Sequence, residues 1–239
     1  MPVLERPFAA AIIVGAGQGT RFGAADKVMA PLAGRPVLAY AIDVAQTAAS
    51  VNAIVVVAGA HLLDSVVEMA EHSPWSKLVA VVPGGDRRQD SVAAGLAAVP
   101  AQTEFVAVHD AARPLATPEL FDHCFSAAYE SGAAIAAIPV SDTLKRVEGT
   151  RIVQTVSREG LWAAQTPQCF RLQLLQRAFA LADERGLQAT DDAALIEALD
   201  LPVTIVPGSQ MNLKITRRQD LSLAEALLAR QSIPGWSGE

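Results

Sequence analysis

Short apolar runs rich in β-branched residues alternate with helix-period stretches along most of this 239-residue chain. Buried strands of a parallel sheet read as such continuous apolar runs, so the alternation predicts an α/β fold with a mostly parallel sheet flanked by helices. The predicted strands are residues 10–14, 53–58, 78–82, 105–109, 133–139 and 203–206. The predicted helices are residues 37–48, 61–71, 91–98, 118–130 and 193–199.

The first predicted strand runs into a glycine-rich turn that contains Gly15, Gly17 and Gly19, followed by Arg21 and Lys27. Glycine leaves backbone N–H groups open to close approach by an anion, and the two cations add charge to the same loop. The spacing fails both the dinucleotide fingerprint and the Walker motif. It favours a nucleoside triphosphate, and the alternative is a plain βα turn with two solvated cations.

Composition narrows the classes of protein to which this chain can belong. The length suits one large domain, which we expect to span residues 1–239. No apolar run approaches the roughly 20 residues of a membrane span, and the start of the chain lacks a signal-peptide pattern. Cys124 and Cys169 lack metal-ligand spacing, so we expect reduced thiols in a cytoplasmic protein. A net charge of −6 argues against nucleic acid as a partner.

Residues 141–160 break the alternation, because they are polar, rich in Thr, Val and Arg, and carry a turn signal at Glu148-Gly149. The segment predicts a protruding β-hairpin with too little apolar surface to enter the core. An isolated hairpin is marginal in water, so it must pack against another surface. That surface is either the edge of its own domain or a second subunit, which would make the protein a homodimer.

Two loops after predicted strands hold candidate ligand-binding residues, since the crevice of an open α/β sheet lies beyond the carboxyl ends of its strands. Gly84-Gly85 would let the backbone reach a base edge, with Ser91 as a hydroxyl partner, unless the glycines only form a tight turn. Asp110 is suited to Mg²⁺, which takes one or two carboxylates plus phosphate oxygens. The alternative for Asp110 is an ion pair with Arg113.

Further polar residues follow later strands, among them Arg158, Thr166 and Lys214. His109 is predicted to be a hydrogen-bonded structural histidine, because a phosphate nucleophile is already ionised near neutral pH and needs no base. Such a rim of cations fits attack at a phosphoryl group, in which a protein mainly aligns two anions and neutralises developing charge.

Seven motifs together resemble the 2-C-methyl-D-erythritol 4-phosphate cytidylyltransferases, from about residue 10 to residue 228. The resemblance implies a Rossmann-like nucleotidyltransferase fold, Mg²⁺, a homodimer with interlocking hairpin arms, and transfer of CMP from CTP to the sugar-alcohol phosphate 2-C-methyl-D-erythritol 4-phosphate. The motifs are Gly17-x-Gly19-x-Arg21, Gly84-Gly85-Asp86-x-Arg88-x-x-Ser91, His109-Asp110-Ala111-Ala112-Arg113-Pro114, Asp142-Thr143-Leu144-Lys145, Thr166-Pro167-Gln168, Thr190-Asp191-Asp192 and Asn212-x-Lys214-x-Thr216.

The resemblance also implies a role for each matching residue. Arg21 and Lys27 would stabilise the pentacovalent α-phosphorus, while Arg158 and Lys214 would hold the sugar phosphate for in-line attack. The implied nucleotide-binding residues are Gly15, Ala16, Gly17, Gly19, Gly85, Asp86, Arg88 and Ser91. The implied substrate-binding residues are Asp110, which would also ligate the metal, Arg113, Thr143 and Thr166. In such dimers Thr143 and Arg158 serve the partner's active site.

Around the catalytic lysine the chain reads Asp26-Lys27-Val28, where the family usually has Pro-Lys-Gln. Asp26 is expected either to pair with Lys27 or to face solvent. Other functions remain open at this point: a ribitol 5-phosphate cytidylyltransferase, a nucleotidyltransferase for another sugar phosphate and base, or a nucleotide-binding module without catalysis. A dinucleotide-dependent oxidoreductase is the weakest alternative, since its fingerprint is missing.

Overall fold

The computed structural model describes residues 6–17, 22 and 26–231. A short 3-10 turn, Ala60–Leu62, precedes the second α-helix. The strands are β1 (Ala9–Val14), β2 (Pro31–Leu32), β3 (Arg35–Pro36), β4 (Ala53–Ala58), β5 (Leu78–Pro83), β6 (Phe105–Asp110), β7 (Ala133–Pro139), β8 (Leu144–Glu148), β9 (Arg151–Val156), β10 (Trp162–Arg171) and β11 (Thr204–Pro207). The helices are α1 (Val37–Thr47), α2 (Leu63–Glu71), α3 (Arg88–Ala98), α4 (Pro118–Ser131), α5 (Leu172–Arg185), α6 (Ala193–Glu197) and α7 (Arg218–Gln231).

A seven-stranded sheet in the order β11-β7-β10-β6-β1-β4-β5 forms the centre of the fold. Strand β10 runs antiparallel to both of its neighbours, β6 and β7, while the other neighbouring pairs are parallel. The prediction of an α/β fold with a mostly parallel sheet is therefore confirmed. The six predicted strands all form, within one residue at each end, but β10, α5 and α7 were not predicted.

Two layers of helices bury the two faces of the sheet. Along β1 the side chains alternate in direction, so that Ile13 faces one layer and Ile12 the other. Ile13 shares its core cluster with Leu38 of α1 and Phe121 of α4. On the other face, Ile12 belongs to a cluster with residues of α3, α5 and α6, namely Val92, Leu96, Leu175, Ala178, Phe179, Ala182, Ala193, Leu195 and Ile196.

Helix α3 lies unusually close to the sheet, and Gly95 allows this approach. A Cβ atom at Gly95 would clash with the Cγ2 atom of Ile12 and would lie 3.1 Å from that of Val57. Ile12 and Val57 belong to β1 and β4, so the helix packs directly over these two neighbouring strands. This packing carries the first residue of α3, Arg88, to the edge formed by the carboxyl ends of the parallel strands.

Strands β8 and β9 pair with each other in an antiparallel hairpin, as predicted for residues 141–160. Gly149 at the turn has a φ of 58°, in the left-handed region that glycine adopts without strain. At the base, the N–H of Val140 donates to the carbonyl of Leu161 at 3.0 Å. The hairpin, called the arm below, is exposed along nearly its whole length.

Two further features bear on the class of protein. None of the described helices has the length and apolar character needed to cross a membrane. Cys124 and Cys169 are both buried and free, as predicted for reduced thiols. The expected cytoplasmic location stays a prediction.

Candidate functional site

The turn after β1 packs against the turn after β5, so the two glycine-rich segments form one wall. Gly15 donates its N–H to the carbonyl of Val57 at 2.7 Å, which extends the sheet by one hydrogen bond. A Cβ atom at Gly84 would clash with the Cβ atom of Ala16, because the two turns touch there. Gly17 is exposed and has open space on its Cα. The predicted residues Gly19 and Arg21 lie outside the described residues.

The turn at Gly84 and Gly85 is held by the hydroxyl of Ser91. This hydroxyl accepts the N–H of Gly85 at 3.2 Å and lies 3.1 Å from the carbonyl of Arg87, to which it donates. Since Ser91 is almost fully buried, its hydroxyl shapes the turn rather than standing open to a ligand. Asp86 is exposed at the tip of the same turn.

Asp110, the last residue of β6, is surrounded by three cations. Its Oδ2 atom lies 2.6 Å from Nζ of Lys214 and 3.9 Å from Nε of Arg113, and its Oδ1 atom lies 3.5 Å from Nε of Arg88. Burial alone would raise the pKa of Asp110, but the positive charges of Lys214 and Arg88 outweigh it and hold the pKa below its ordinary value. The carboxylate is therefore ionised at neutral pH. The ion pair between Asp110 and Arg113, which was the alternative prediction, is present as one part of this larger cluster.

Arg88 carries a second ion pair, to Asp192 at the start of α6. Nη2 of Arg88 lies 2.7 Å from Oδ2 of Asp192, whose side chain is nearly inaccessible. Burial would lower the pKa of Arg88, but Asp192 and Asp110 together raise it, so the guanidinium stays charged. Burial also raises the pKa of Asp192, and the charge of Arg88 opposes that shift.

His109 and Thr166 form a buried pair beneath Asp110. The hydroxyl of Thr166 accepts the N–H of Asp110 at 3.0 Å and lies 3.1 Å from Nδ1 of His109. Nε2 of His109 lies 3.2 Å from the carbonyl of Arg113. Burial lowers the pKa of His109 to about 4, so the ring is neutral at pH 7. His109 is thus the hydrogen-bonded structural histidine that the sequence predicted.

Arg113 and Asn212 connect this pair to the loop that carries Lys214. Nη1 of Arg113 donates to the carbonyl of Asn212 at 2.7 Å, and the side-chain amide of Asn212 donates to the carbonyl of Thr166 at 2.9 Å. Nε of Arg113 and Oδ1 of Asn212 are buried without a hydrogen-bond partner in the described part of the chain. Burying such polar atoms unpaired is unfavourable, which is typical of a site that a polar ligand completes.

Two small cavities meet at this cluster, and Arg88, Asp110 and Lys214 line both of them. One, of about 90 Å³, is also lined by Val14, Gly15, Gly17, Lys27, Val28 and Ala112. The other, of about 210 Å³, is also lined by Arg113, Ala164, Gln165, Thr166, Gln168, Thr190 and Asp191. Residues predicted from distant segments are thereby brought together: Gly15, Gly17, Lys27, Arg88, Asp110, Arg113, Thr166 and Lys214.

Within the part of the chain that the structure describes, the predicted residues of the two glycine-rich turns that line neither cavity are Ala16, Gly85, Asp86 and Ser91. Thr143 and Arg158 do not line the cavities either, and they come from a separate part of the chain. Both lie on the exposed arm, and the guanidinium of Arg158 donates to the carbonyl of Ser141 at the arm's base. No residue of 141–160 is among those that line the two cavities. Either their predicted roles are wrong or the arm acts on another subunit.

Asp26 has a partner that the sequence interpretation did not consider. Its Oδ2 atom lies 2.6 Å from Nε2 of His61, in the 3-10 turn after β4. The carbonyl of Asp26 also accepts the N–H of Met29 at 3.1 Å, in the turn that carries Lys27. The expectation that Asp26 either pairs with Lys27 or faces solvent was therefore incomplete. His61 lies 35 positions away in sequence, and only the fold brings it to Asp26.

Asp192 and Gln168 are two of the motif residues to which the sequence assigned no role. Oε1 of Gln168 accepts the N–H groups of Asp192 and Ala193, at 3.1 and 3.2 Å, and its Nε2 donates to Asp191 at 2.8 Å. Their positions in the motifs Thr166-Pro167-Gln168 and Thr190-Asp191-Asp192 were the only sign in the sequence that they belong to the site. The fold shows that Gln168 holds the start of α6 beside it.

Comparison with known proteins identifies the family to which this chain is similar. The family model described as 2-C-methyl-D-erythritol 4-phosphate cytidylyltransferase matches residues 9–230. The proteins of that name from Dehalococcoides mccartyi and Desulforamulus reducens are each 42% identical to this chain, over 92% and 93% of it and 96% of their own lengths. The crystal structure of the Thermus thermophilus protein of that name is 36% identical, with a TM-score of 0.76, and covers 92% of this chain and 98% of its own. The 4-diphosphocytidyl-2C-methyl-D-erythritol synthase of Anaerococcus prevotii has a TM-score of 0.82 at 29% identity, over 93% of this chain and 96% of its own.

Proposed function

Because the chain belongs to the 2-C-methyl-D-erythritol 4-phosphate cytidylyltransferase family, we propose here how its own residues carry out the family's reaction. The enzyme transfers a cytidylyl group from CTP to 2-C-methyl-D-erythritol 4-phosphate in isoprenoid precursor synthesis. A phosphate oxygen of the sugar forms a bond to the α-phosphorus of CTP, and the bond to pyrophosphate breaks. One observation supports the placement of the two substrates: the two cavities share Arg88, Asp110 and Lys214.

The smaller cavity receives the polyphosphate of CTP. It combines the glycine turn of Gly15 and Gly17 with Lys27 and Arg88, which are the backbone and side-chain donors that phosphates require. Arg21 and Gly19, with Ala16, belong to the same glycine segment. The base and ribose lie over the adjoining turn formed by Gly85, Asp86 and Ser91.

The larger cavity receives the phosphate of 2-C-methyl-D-erythritol 4-phosphate. Arg113, Thr166 and Lys214 line it, and Nε of Arg113 is a buried donor that a phosphate oxygen would satisfy. Lys214, which lines both cavities, stands where the two anions must meet for in-line attack. Holding two anions in this alignment is the main task in phosphoryl transfer.

The reaction needs charge neutralisation rather than a general base. His109 has a pKa lowered to about 4 by burial, and its nitrogens are engaged by Thr166 and Arg113. The attacking phosphate is already ionised near neutral pH. Lys27 and Arg21 stabilise the negative charge that develops at the α-phosphorus, and removal of one such donor costs on the order of 10²–10³ in rate.

Asp110 is the residue that would hold Mg²⁺. Within the described residues no cluster of three or more metal-ligating side chains occurs, so the protein offers no complete cage. One ionised carboxylate beside a phosphate-binding turn nevertheless fits Mg²⁺, which binds through one or two carboxylates plus substrate phosphates. When bound, the ion would neutralise charge on the phosphates of CTP.

Residues 1–239 form one catalytic unit, and the arm of residues 141–160 completes the site of a second subunit. The arm's Thr143 and Arg158 line neither cavity of their own chain. Val147 and Ile152 face each other across the hairpin and are 54% and 60% exposed, so the arm presents an uncovered apolar surface. A homodimer with exchanged arms would both cover this surface and deliver Arg158 to the sugar phosphate.

The substrate assignment is tested by pyrophosphate release with CTP and Mg²⁺, comparing 2-C-methyl-D-erythritol 4-phosphate with ribitol 5-phosphate. We expect turnover with the first alone, and equal or greater turnover with the second would overturn it.

For the site assignment, Lys214→Met should lower kcat by about 10²–10³. Lys77→Met is the matched control, because Nζ of Lys77 binds the carbonyl of Ala48 near the amino end of β5. Equal activity of the two variants would contradict the role of Lys214.

A further inference from the structure

The carboxylate of Asp192 is buried at the start of α6 and does not serve that helix. Asp192 is 1% exposed, and although it occupies the N-cap position its side chain makes no capping hydrogen bond. An Asp at that position commonly caps the first turn. Here Asp191 accepts the N–H of Ala194 at 3.1 Å, and Gln168 accepts the N–H groups of Asp192 and Ala193. The start of the helix is thus satisfied by neighbours.

The carboxylate of Asp192 is directed instead at Arg88. Its Oδ2 atom accepts from Nη2 of Arg88 at 2.7 Å, while Asp110 lies 3.5 Å from Nε of the same guanidinium. A planar guanidinium held through two of its three nitrogens has a fixed orientation, whereas a single contact would allow it to swing. Burying a carboxylate is costly, so the arrangement calls for a compensating role.

Arg88 is the residue through which Asp192 can affect the reaction. Arg88 lines both cavities and Asp192 lines neither. Within the described residues Nη1 of Arg88 donates no hydrogen bond to protein, while Nε and Nη2 are directed at Asp110 and Asp192. Nη1 is therefore the nitrogen that remains for an incoming phosphate.

We propose that Asp192 is a positioning residue that fixes the guanidinium of Arg88 between the two cavities, so that Nη1 meets the polyphosphate of CTP. The inference rests on the proposed placement of CTP beside Arg88. It differs from a structural role, in which the ion pair would only fasten α6 to α3. In that case D192N would lower stability and would raise the KM of both substrates alike, because Thr190 and Asp191 beside it line the larger cavity.

A double-mutant cycle, with Asp192→Asn and Arg88→Gln made singly and together, tests whether Asp192 acts through Arg88, and the KM values of the two substrates separate positioning from fastening. For each protein, kcat, the KM of CTP and the KM of the sugar phosphate are measured below the midpoint of thermal unfolding. We expect D192N to lower kcat/KM for CTP about tenfold, mainly through the KM of CTP, with the KM of the sugar phosphate changed less than twofold. In the R88Q background, D192N should change kcat/KM less than twofold.

Equal losses from D192N in both backgrounds, no loss from D192N alone, or an equal rise in the KM of both substrates would overturn the positioning role. No effect of R88Q itself on the KM of CTP would overturn the placement of CTP, and the inference with it. Arg88→Lys provides a second test that leaves both carboxylates with a cation, so it holds even where D192N fails to fold. We expect R88K to lose nearly as much kcat/KM as R88Q, because a single ammonium lacks the planar set of N–H donors that a guanidinium holds in fixed directions. Wild-type activity of R88K would also overturn the proposal.

Discussion

The rim cluster around Asp110 and the arm of residues 141–160 differ in how a single chain completes them. In the cluster, Asp110 has three cationic neighbours within 4 Å, and Arg88 is held by carboxylates on two elements. In the arm, β8 and β9 pair with each other across one register shift, but the apolar side chains of Val147 and Ile152 stay exposed. One region is preorganised by its own fold, and the other is folded without a surface to pack against.

The difference indicates where the proposed second subunit would act. The charged groups to which we assign CTP, on β6, on α3 and on the loop that carries Lys214, line one cavity of a single chain. Groups assigned to the sugar phosphate are split, since Arg113 and Thr166 line the cavity while Thr143 and Arg158 do not. We therefore expect changes to the arm to affect assembly and the sugar phosphate, and changes to the rim to affect the chemistry.

Deletion of the arm should produce the largest effect. The hydrogen bond between Val140 and Leu161 closes the arm's base, so a two-glycine link in place of residues 141–160 leaves β7 and β10 joined. Two predicted substrate contacts disappear, each worth on the order of 10²–10³ in rate, and pyrophosphate release should fall to background. Sedimentation should show a monomer. An active deletion variant would refute the arm's catalytic role.

Lys27→Ala should depress kcat by about 10²–10³ while changing the KM of CTP only a few-fold, because the charge that Lys27 stabilises develops in the transition state. Steady-state kinetics with varied CTP measures both parameters. The reverse pattern, with normal kcat and a raised KM, would assign Lys27 to ground-state binding. Lys77→Met again serves as the control lysine.

Polar substitution of the arm's apolar pair should weaken assembly without unfolding the protein. Val147→Ser with Ile152→Ser should raise the dissociation constant of the dimer by about 10–100-fold, since the two half-exposed side chains together lose roughly 1.5–3 kcal/mol of burial, and 1.4 kcal/mol is about a factor of ten. Analytical ultracentrifugation across a dilution series measures the shift. Val79→Ser on the edge strand β5 is the matched control, because Val79 is also 54% exposed. Equal shifts in both proteins would contradict a specific arm interface.

The smallest expected effect concerns pH. The folded protein holds the pKa of His109 at about 4 against an ordinary value of 6.5, so the unfolded chain binds the additional proton. The free energy of unfolding should therefore fall as the pH drops from about 6.5 towards 4, by up to about 1.4 kcal/mol per pH unit from this group. Chemical unfolding at several pH values should show a shallower slope for His109→Gln. An unchanged slope would show that His109 titrates normally.

How far the sequence predicts the structure depends on where each residue's partners lie. Apolar runs such as residues 53–58 predict strands, because burial on both faces requires a continuous apolar stretch. Strand β10 was not predicted, since Gln165, Thr166 and Gln168 read as loop residues, although each is buried and hydrogen-bonded within the fold. Long-range pairs such as Asp26–His61 and Arg88–Asp192 leave no local pattern in the sequence.

Mixing two inactive variants tests most directly whether one chain's rim and another chain's arm form each active site. Arg158→Ala removes the arm residue assigned to the sugar phosphate, and Lys214→Ala removes the rim lysine that lines both cavities. If the arm acts on the partner, a mixed dimer contains one fully wild-type site and one doubly defective site. Pyrophosphate release from an equilibrated equimolar mixture should then recover to about a quarter of the wild-type rate. A mixture no more active than the separate variants would show that arm and rim act within one chain.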